Sequence, residues 1–258
     1  MLSRTIFQIY GPICIYSYGL MIAIGVVCAT YLLLKDKRRA SLIDMDTLLN
    51  ILSLGTLVGI AGGRILHVIS SPQDISSFWH IFALYEGGFS ILGTVIAILL
   101  FIPWHLKRIA VPILPFFDLI ASYAPLIQSI SRIGCFFAGC CFGAPAELPW
   151  CITYTDPDTL APLHCTLHPT QLYAATSLLV LFLFLQWVAR RFQLAPGQLS
   201  ALYLALFSAQ RLCIDFFRGD RIMHASELLS FHQWIALGLC IASLSAYYLL
   251  GKRTRRTA

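Results

Sequence analysis

Charge is what this sequence has least of. Only 12% of its 258 residues are charged, where a soluble globular protein carries about 25%. A soluble enzyme built on a large core is excluded by that figure, by 58% hydrophobic residues and by a mean hydropathy of +0.77. Other absences narrow the reading further. There is no soluble domain, long linker, low-complexity segment or internal repeat. No Cys-x-x-Cys occurs, which argues against a dithiol redox motif. The first apolar run, from Ile13 to Leu34, is too long for a signal-peptide core. It also lacks a basic leader followed by a small-residue cleavage site, so it reads as an uncleaved first span.

What is there is a polytopic helical membrane protein. The net charge of +6 does not point to nucleic acid, because it is not spread over a face. Twelve of the eighteen Lys and Arg fall in four short clusters: Lys35, Lys37, Arg38 and Arg39; Lys107 and Arg108; Arg190 and Arg191; Lys252, Arg253, Arg255 and Arg256. Each follows an apolar segment, the pattern of cytoplasmic loops. Seven spans fit, near 13–34, 48–70, 81–103, 111–130, 170–189, 198–217 and 229–250, each close to the roughly 20 residues a bilayer requires. Gly87, Gly88 and Gly93 interrupt the third, which is expected to be broken or re-entrant. The expected fold is therefore all-α, a single transmembrane domain over 1–258. Its N-terminus lies outside and its C-terminus in the cytoplasm. The loops at 71–80 and 218–228 and the region 131–169 face outward. Within that region 144–169 holds five prolines, so it is expected to be a small extracytoplasmic loop or cap rather than a regular helix.

The polar chemistry concentrates in two short runs. One reads Ser131-Arg132-Ile133-Gly134-Cys135 and continues through Gly139-Cys140-Cys141-Phe142-Gly143. The other reads His168-Pro169-Thr170-Gln171-Leu172-Tyr173. Six arginines lie outside the basic clusters: Arg4, Arg64, Arg132, Arg211, Arg218 and Arg221. Arg4 and Arg221 are expected in water. The other four fall within or at the ends of spans, where a charge costs about 2.5–3.5 kcal/mol and marks a substrate path. Arginine suits bidentate contact with phosphate, so a pocket for an anionic phospholipid headgroup is one reading. Internal pairing is the other: Arg211 with Asp215, Arg64 with Glu86, Arg218 with Asp220. Gly134, Gly139 and Gly143 imply close approach or tight turns. His168 is a general base near neutral pH or a hydrogen-bonded loop residue. Tyr18 and Tyr173 are substrate contacts or interfacial belt residues. The cysteines do not match a recognised zinc spacing. Cys151–Cys165 is the pair that an oxidising compartment would join. Cys135 and Cys140 can also be small packing residues.

These residues resemble the signature of bacterial prolipoprotein diacylglyceryl transferases. The resemblance rests on Arg132-Ile133-Gly134, Gly139, Gly143 and His168 to Tyr173. It extends to Tyr18-Gly19-Leu20-Met21, Gly62-Gly63-Arg64, Glu86-Gly87-Gly88-Phe89-Ser90 and Arg211…Asp215-Phe216-Phe217-Arg218, in order over most of the chain. It implies a multi-pass protein of the bacterial inner membrane. The implied reaction moves the diacylglyceryl group of phosphatidylglycerol to the thiol of a lipobox cysteine in a preprolipoprotein. By the resemblance Arg132 and Arg211 are catalytic, holding and stabilising the phosphate; His168 is the catalytic candidate that the residues themselves add. Tyr18, Arg64, Glu86, Gly134, Arg218 and Tyr173 line the substrate site. It implies no metal and no organic cofactor. The partners are phosphatidylglycerol, the lipobox peptide and membrane lipids, not nucleic acid.

The chain departs from the family pattern at four places. Leu92 stands where the family has a histidine, Cys135 where it has asparagine, Cys140 where it has glutamate, and Ala174 where glutamate follows Leu-Tyr. Leucine cannot take a proton, so the base must be His168, Glu86 or solvent. Two other readings follow from the gained cysteines. One is a relative that transfers a phospholipid-derived group to another acceptor, with Cys135, Cys140 or Cys141 as nucleophile. The other is a non-enzymatic lipid-binding membrane protein.

Overall fold

Long apolar runs bounded by capping residues form the frame. The computed structural model describes residues 5–10, 13–71, 90–221 and 229–257. A short antiparallel pair, β1 (Thr5–Tyr10) and β2 (Ile13–Tyr16), precedes α1 (Ser17–Leu34). The first helix thus begins at Ser17, not at Ile13, because the first apolar residues are used in the strand. Helix α2 (Lys37–Leu42) starts at Asp36, whose carboxylate accepts the Arg38 N–H at 2.8 Å and pairs with its guanidinium at 2.6 Å. Helix α3 (Met45–Ser70) starts at Asp44, which accepts the Thr47 N–H at 2.9 Å. That N–H holds the Asp44 carboxyl below its usual range. Then follow α4 (Ile91–Arg108), α5 (Ile113–Ala121), α6 (Ala124–Ala138), the two-residue strands β3 (Ile152–Thr153) and β4 (Thr166–Leu167), α7 (Thr170–Arg191), α8 (Gln198–Asp215) and α9 (Phe231–Thr257).

Among the described residues six segments are long and apolar enough to cross a membrane: α1, α3, α4, the α5–α6 pair, α7 and most of α9. Helix α8, expected as the sixth of seven spans, is as long as α1 but carries Arg211 and Asp215. Large apolar side chains lie bare along these helices, among them Val27, Ile69, Leu100 and Leu249. Such surface suits hydrocarbon rather than water.

The chain divides into two compact units, residues 34–116 and residues 1–33 with 117–258. In the smaller unit α3 and α4 meet at glycines. A Cβ on Gly93 would collide with the Gly62 carbonyl and come within 2.6 Å of Leu66 Cβ. Gly93 therefore lies inside a continuous α4, where it admits α3, and does not break the helix. Ser90 caps α4, and its own N–H donates to the Gly63 carbonyl at 3.1 Å. Gly87 and Gly88 lie outside the described residues.

In the larger unit Leu178, Leu185 and Val188 of α7 pack with Leu199 and Tyr203 of α8 and Ala121 of α5. Polar stitches cross this core. Ser129 donates to the Ala175 carbonyl at 2.7 Å, and Gln186 to the Ser122 carbonyl at 3.0 Å. Asp118 caps α8 from a distance in sequence. Its carboxylate accepts the N–H of Gly197 at 2.6 Å, and the N–H and hydroxyl of Ser200 at 2.7 and 2.8 Å. The α5–α6 pair breaks at Ser122–Tyr123, next to Pro125, which cannot donate in the first turn of α6.

The segment after α6 forms no long helix, as its prolines require. Strands β3 and β4 pair antiparallel, with Ile152 opposite Leu167 and Thr153 opposite Thr166. Tyr154, Ala161 and Leu167 form a small buried core with Phe142 and Ile152 against them.

Candidate active site

The fourth span was expected to end at 130, but helix α6 continues through the first polar run to Ala138, so Arg132, Gly134 and Cys135 are helical. The helix stops where Gly139 takes a left-handed φ of 71°, a conformation glycine adopts at least cost. Two residues later Cys141 also has a positive φ, 58°. This double turn folds Cys140 and Cys141 back toward Cys135, and the three sulfurs lie within 4.8 Å of one another. Earlier in α6 the missing side chain of Gly134 lets α1 approach. A Cβ there would lie 2.9 Å from Tyr18 Cα and 3.0 Å from Met21 Cβ.

The start of α7 clamps this loop. The Thr170 hydroxyl donates to the Cys141 carbonyl at 2.8 Å, and Gln171 Nε2 to the Cys140 carbonyl at 2.8 Å. Both side chains are buried. Thr170 and Gln171 belong to the run singled out in the sequence, but the sequence gives no sign that their task is to hold two carbonyls 29 and 31 residues away. Tyr154 adds a third tie, donating to the Phe136 carbonyl at 2.9 Å.

Beyond the cysteines three backbone segments form a seam. Ala144 donates to the Phe217 carbonyl at 2.8 Å, Gly219 to Phe142 at 3.0 Å, Gly143 to His168 at 3.2 Å and His168 to Ala144 at 3.1 Å. A Cβ at Gly143 would collide with His168, and one at Gly219 would lie 2.6 Å from the Gly143 carbonyl oxygen. The seam joins the cap, the end of α6 and the end of α8.

Three of the predicted arginines meet here. Arg132 Nη1 donates to Cys141 Sγ at 3.5 Å. Arg211 lies within charge range of Arg218, Arg132, Asp215 and Cys141. Arg218 is also within range of Cys141. Tyr18 has Arg132 and all three cysteines as electrostatic neighbours. Cys140 Sγ donates to the Cys135 carbonyl at 3.8 Å. The neighbouring thiols, Cys135 and then Cys140, pull the Cys141 thiol well below the usual range, and Arg132 and Arg218 add to the pull. The same contacts push Cys140 up.

The expected ion pairs are only partly present. Arg218 is bidentate with Asp220, at 2.7 and 2.5 Å, and that pairing holds its guanidinium charged. Asp215 instead accepts the Ser230 hydroxyl at 2.5 Å and faces Arg221 Nε at 3.8 Å. Arg221 is therefore not a solvated residue. Its side chain is largely covered, donates to Gln233 at 2.8 Å and lies over Phe216. Arg64 is buried on α3 in the smaller unit, and Glu86 lies outside the described residues. Leu92 is exposed near the start of α4.

His168 sits at the seam. Its Nδ1 is 3.3 Å from the Tyr173 hydroxyl, which accepts the Trp150 indole N–H at 2.7 Å. Its ring also meets Tyr173 and Phe217 edge-on. Cys151 and Cys165 are both free thiols. They flank the paired strands, Cys151 just before β3 and Cys165 just before β4.

A model of one family, described as prolipoprotein diacylglyceryl transferase, matches residues 4–249. The chain belongs to the prolipoprotein diacylglyceryl transferase family. It is a multi-pass membrane transferase of lipoprotein biosynthesis. The phosphatidylglycerol–prolipoprotein diacylglyceryl transferase of Clostridium tetani is 32% identical over 246 residues, 95% of this chain and 97% of its own length. A second such transferase, from Clostridium perfringens, is 34% identical over 244 residues, covering 93% and 92%. The one from Thermotoga maritima is 31% identical over 238 residues, covering 89% and 80%. In this family member, the described arginine cluster and the cap seam enclose a cysteine group at the end of α6.

Proposed function

We propose that the protein transfers the diacylglyceryl group of phosphatidylglycerol to the thiol of a lipobox cysteine, in the bacterial inner membrane. The observation that carries this reading is the convergence of Arg132, Arg211 and Arg218. Three guanidinium groups repel one another in an apolar protein. An anionic phosphate among them relieves that repulsion and accepts charge-assisted hydrogen bonds. The donor lipid supplies such a phosphate, linked to the glyceryl carbon that is attacked. The thiolate of the acceptor forms the new C–S bond. The C–O bond breaks, and its electron pair leaves on the phosphate oxygen as glycerol 1-phosphate. Arginines stabilise that developing charge, which is where binding energy accelerates the step. In this reading His168 receives the thiol proton, and Tyr18, Gly134 and Tyr173 line the substrate path. Arg64 of the second-span motif and Glu86 of the third-span motif are the remaining residues that the family pattern assigns to substrate binding. The N-terminus is outside and the four basic clusters face the cytoplasm, so the cap covers the outer end of the site.

The test uses the purified protein in detergent with phosphatidylglycerol and a lipobox peptide carrying a free cysteine. Mass spectrometry follows the diacylglyceryl-modified peptide. The reading requires modified peptide with the wild type and none with Arg132→Ala. Absence of modified peptide with the wild type overturns it.

A further inference from the structure

The cysteine group has no part in the reaction as described, yet the fold converges on it. Cys135 comes from a helix and Cys140 and Cys141 from a double left-handed turn, with Thr170 and Gln171 fixing the turn's carbonyls. A positive φ at a non-glycine residue is a strained choice that persists only where its surroundings enforce it. Here that choice brings three sulfurs within 4.8 Å. Three thiolates bound to one zinc ion at about 2.3 Å each sit roughly 3.8 Å apart. The sulfurs would close by about an ångström, which rotation about Cα–Cβ bonds supplies. Three thiolates and one divalent cation leave one net negative charge, and Arg132 already stands on Cys141 at 3.5 Å to balance it. Among the described residues no fourth His, Cys, Asp or Glu joins the group. A zinc site with three protein ligands keeps a position for substrate.

We propose that Cys135, Cys140 and Cys141 form a three-thiolate zinc site whose fourth position takes the acceptor thiol of the transfer reaction. This rests on the function proposed above and answers a gap in it. Alkylation at carbon needs a thiolate, and Leu92 offers no base where the family pattern has histidine. A thiol coordinated to zinc is deprotonated outright. The acceptor S–H gives up its proton to His168 or solvent as the Zn–S bond forms. The bound sulfur then forms the C–S bond, the C–O electron pair leaves on the phosphate oxygen beside the arginines, and the thioether product, a weak ligand, departs. No electron changes hands, so no oxidant or reductant is needed. The family resemblance implies no metal, and the cysteine spacing matches no recognised zinc pattern; the double turn nevertheless brings the three sulfurs together.

The first test reads the site without activity. The reduced, intact protein in detergent is titrated with Co²⁺ in place of zinc, and its visible and near-ultraviolet spectrum recorded. The expected result is tetrahedral ligand-field bands with sulfur-to-cobalt charge transfer, saturating at one ion per chain and lost in Cys140→Ser. Cys213→Ser, on an exposed thiol elsewhere, should keep them. Addition of a lipobox peptide with cysteine should shift the charge-transfer band, and a peptide with serine should not. No bands in the wild type, or unchanged bands in Cys140→Ser, overturn the site. Bands that ignore the cysteine peptide overturn its role as acceptor position. The transfer assay separates this proposal from the one it rests on. Peptide modification that survives complete removal of metal overturns the zinc role while the transferase reading stands. A site that binds cobalt and the cysteine peptide while no lipid is ever transferred leaves the zinc and thiol assignment standing and overturns the phosphatidylglycerol reading.

Discussion

Arg132 lies one turn before Cys135 on α6, and its guanidinium meets a sulfur, Cys141 Sγ, at 3.5 Å. Its charge is one of three that converge, so its removal should cost chemistry more than folding. Arg132→Ala should lower the initial rate of peptide modification by about 10²–10³-fold, the range for loss of one preorganised donor. Arg132→Lys should fold as well as wild type yet recover only part of the rate, because an ammonium cannot make the bidentate contact. Rates within a few-fold of wild type for Arg132→Ala would sink the phosphate assignment. Gln171 is the complementary case, a buried residue with a structural task. Gln171→Leu leaves the Cys140 carbonyl without its donor and should cost about 1–3 kcal/mol, read as a lower melting temperature in detergent. Of these two, only Arg132 stood out in the sequence as a candidate site residue. A charge in an apolar run announces itself, whereas a glutamine at the start of a helix looks like any other polar residue until its partner is known.

At the scale of elements, the apolar helices were legible because lipid demands about 20 apolar residues whatever the neighbours are. Their ends were less so. Helix α6 continues to Ala138 because the left-handed Gly139 stops it, not the polar Ser131. Gly93 reads as a breaker in isolation and proves to be a contact point between α3 and α4, a distinction that depends on the partner helix. That 144–169 is no regular helix was legible from its prolines, but the short β3–β4 pairing inside it was not, since it joins residues far apart in sequence. Asp118 shows an element fixed from outside itself. Helix α8 begins at a glycine with φ of 89° and no side-chain cap of its own, and Asp118 on α5 supplies the acceptor. Asp118→Ala should destabilise the larger unit by about 1–2 kcal/mol, the upper range for lost caps. Thermal unfolding in detergent checks this, and Asp118→Asn should recover part of the loss.

For the whole molecule the proposed orientation sets which face meets which compartment. With the cap outside, Cys165, exposed and free on that cap, should react with a membrane-impermeant maleimide in intact spheroplasts. The signal should vanish in Cys165→Ser. Labelling that requires permeabilised cells would invert the topology and place the basic clusters outside.

The seam between cap and helix ends is made of amides and carbonyls, not of side chains. Every residue except proline carries the same amide, so the seam places little demand on which side chains occupy it. Ala144 can change freely as long as its N–H still reaches Phe217. The demand falls instead on volume at two places, Gly143 against His168 and Gly219 against the Gly143 carbonyl. In a library of all single substitutions these two glycines would stand as intolerant columns beside permissive neighbours. The cap could thus drift or accept grafted sequence at its surface while its attachment to the membrane helices is inherited unchanged.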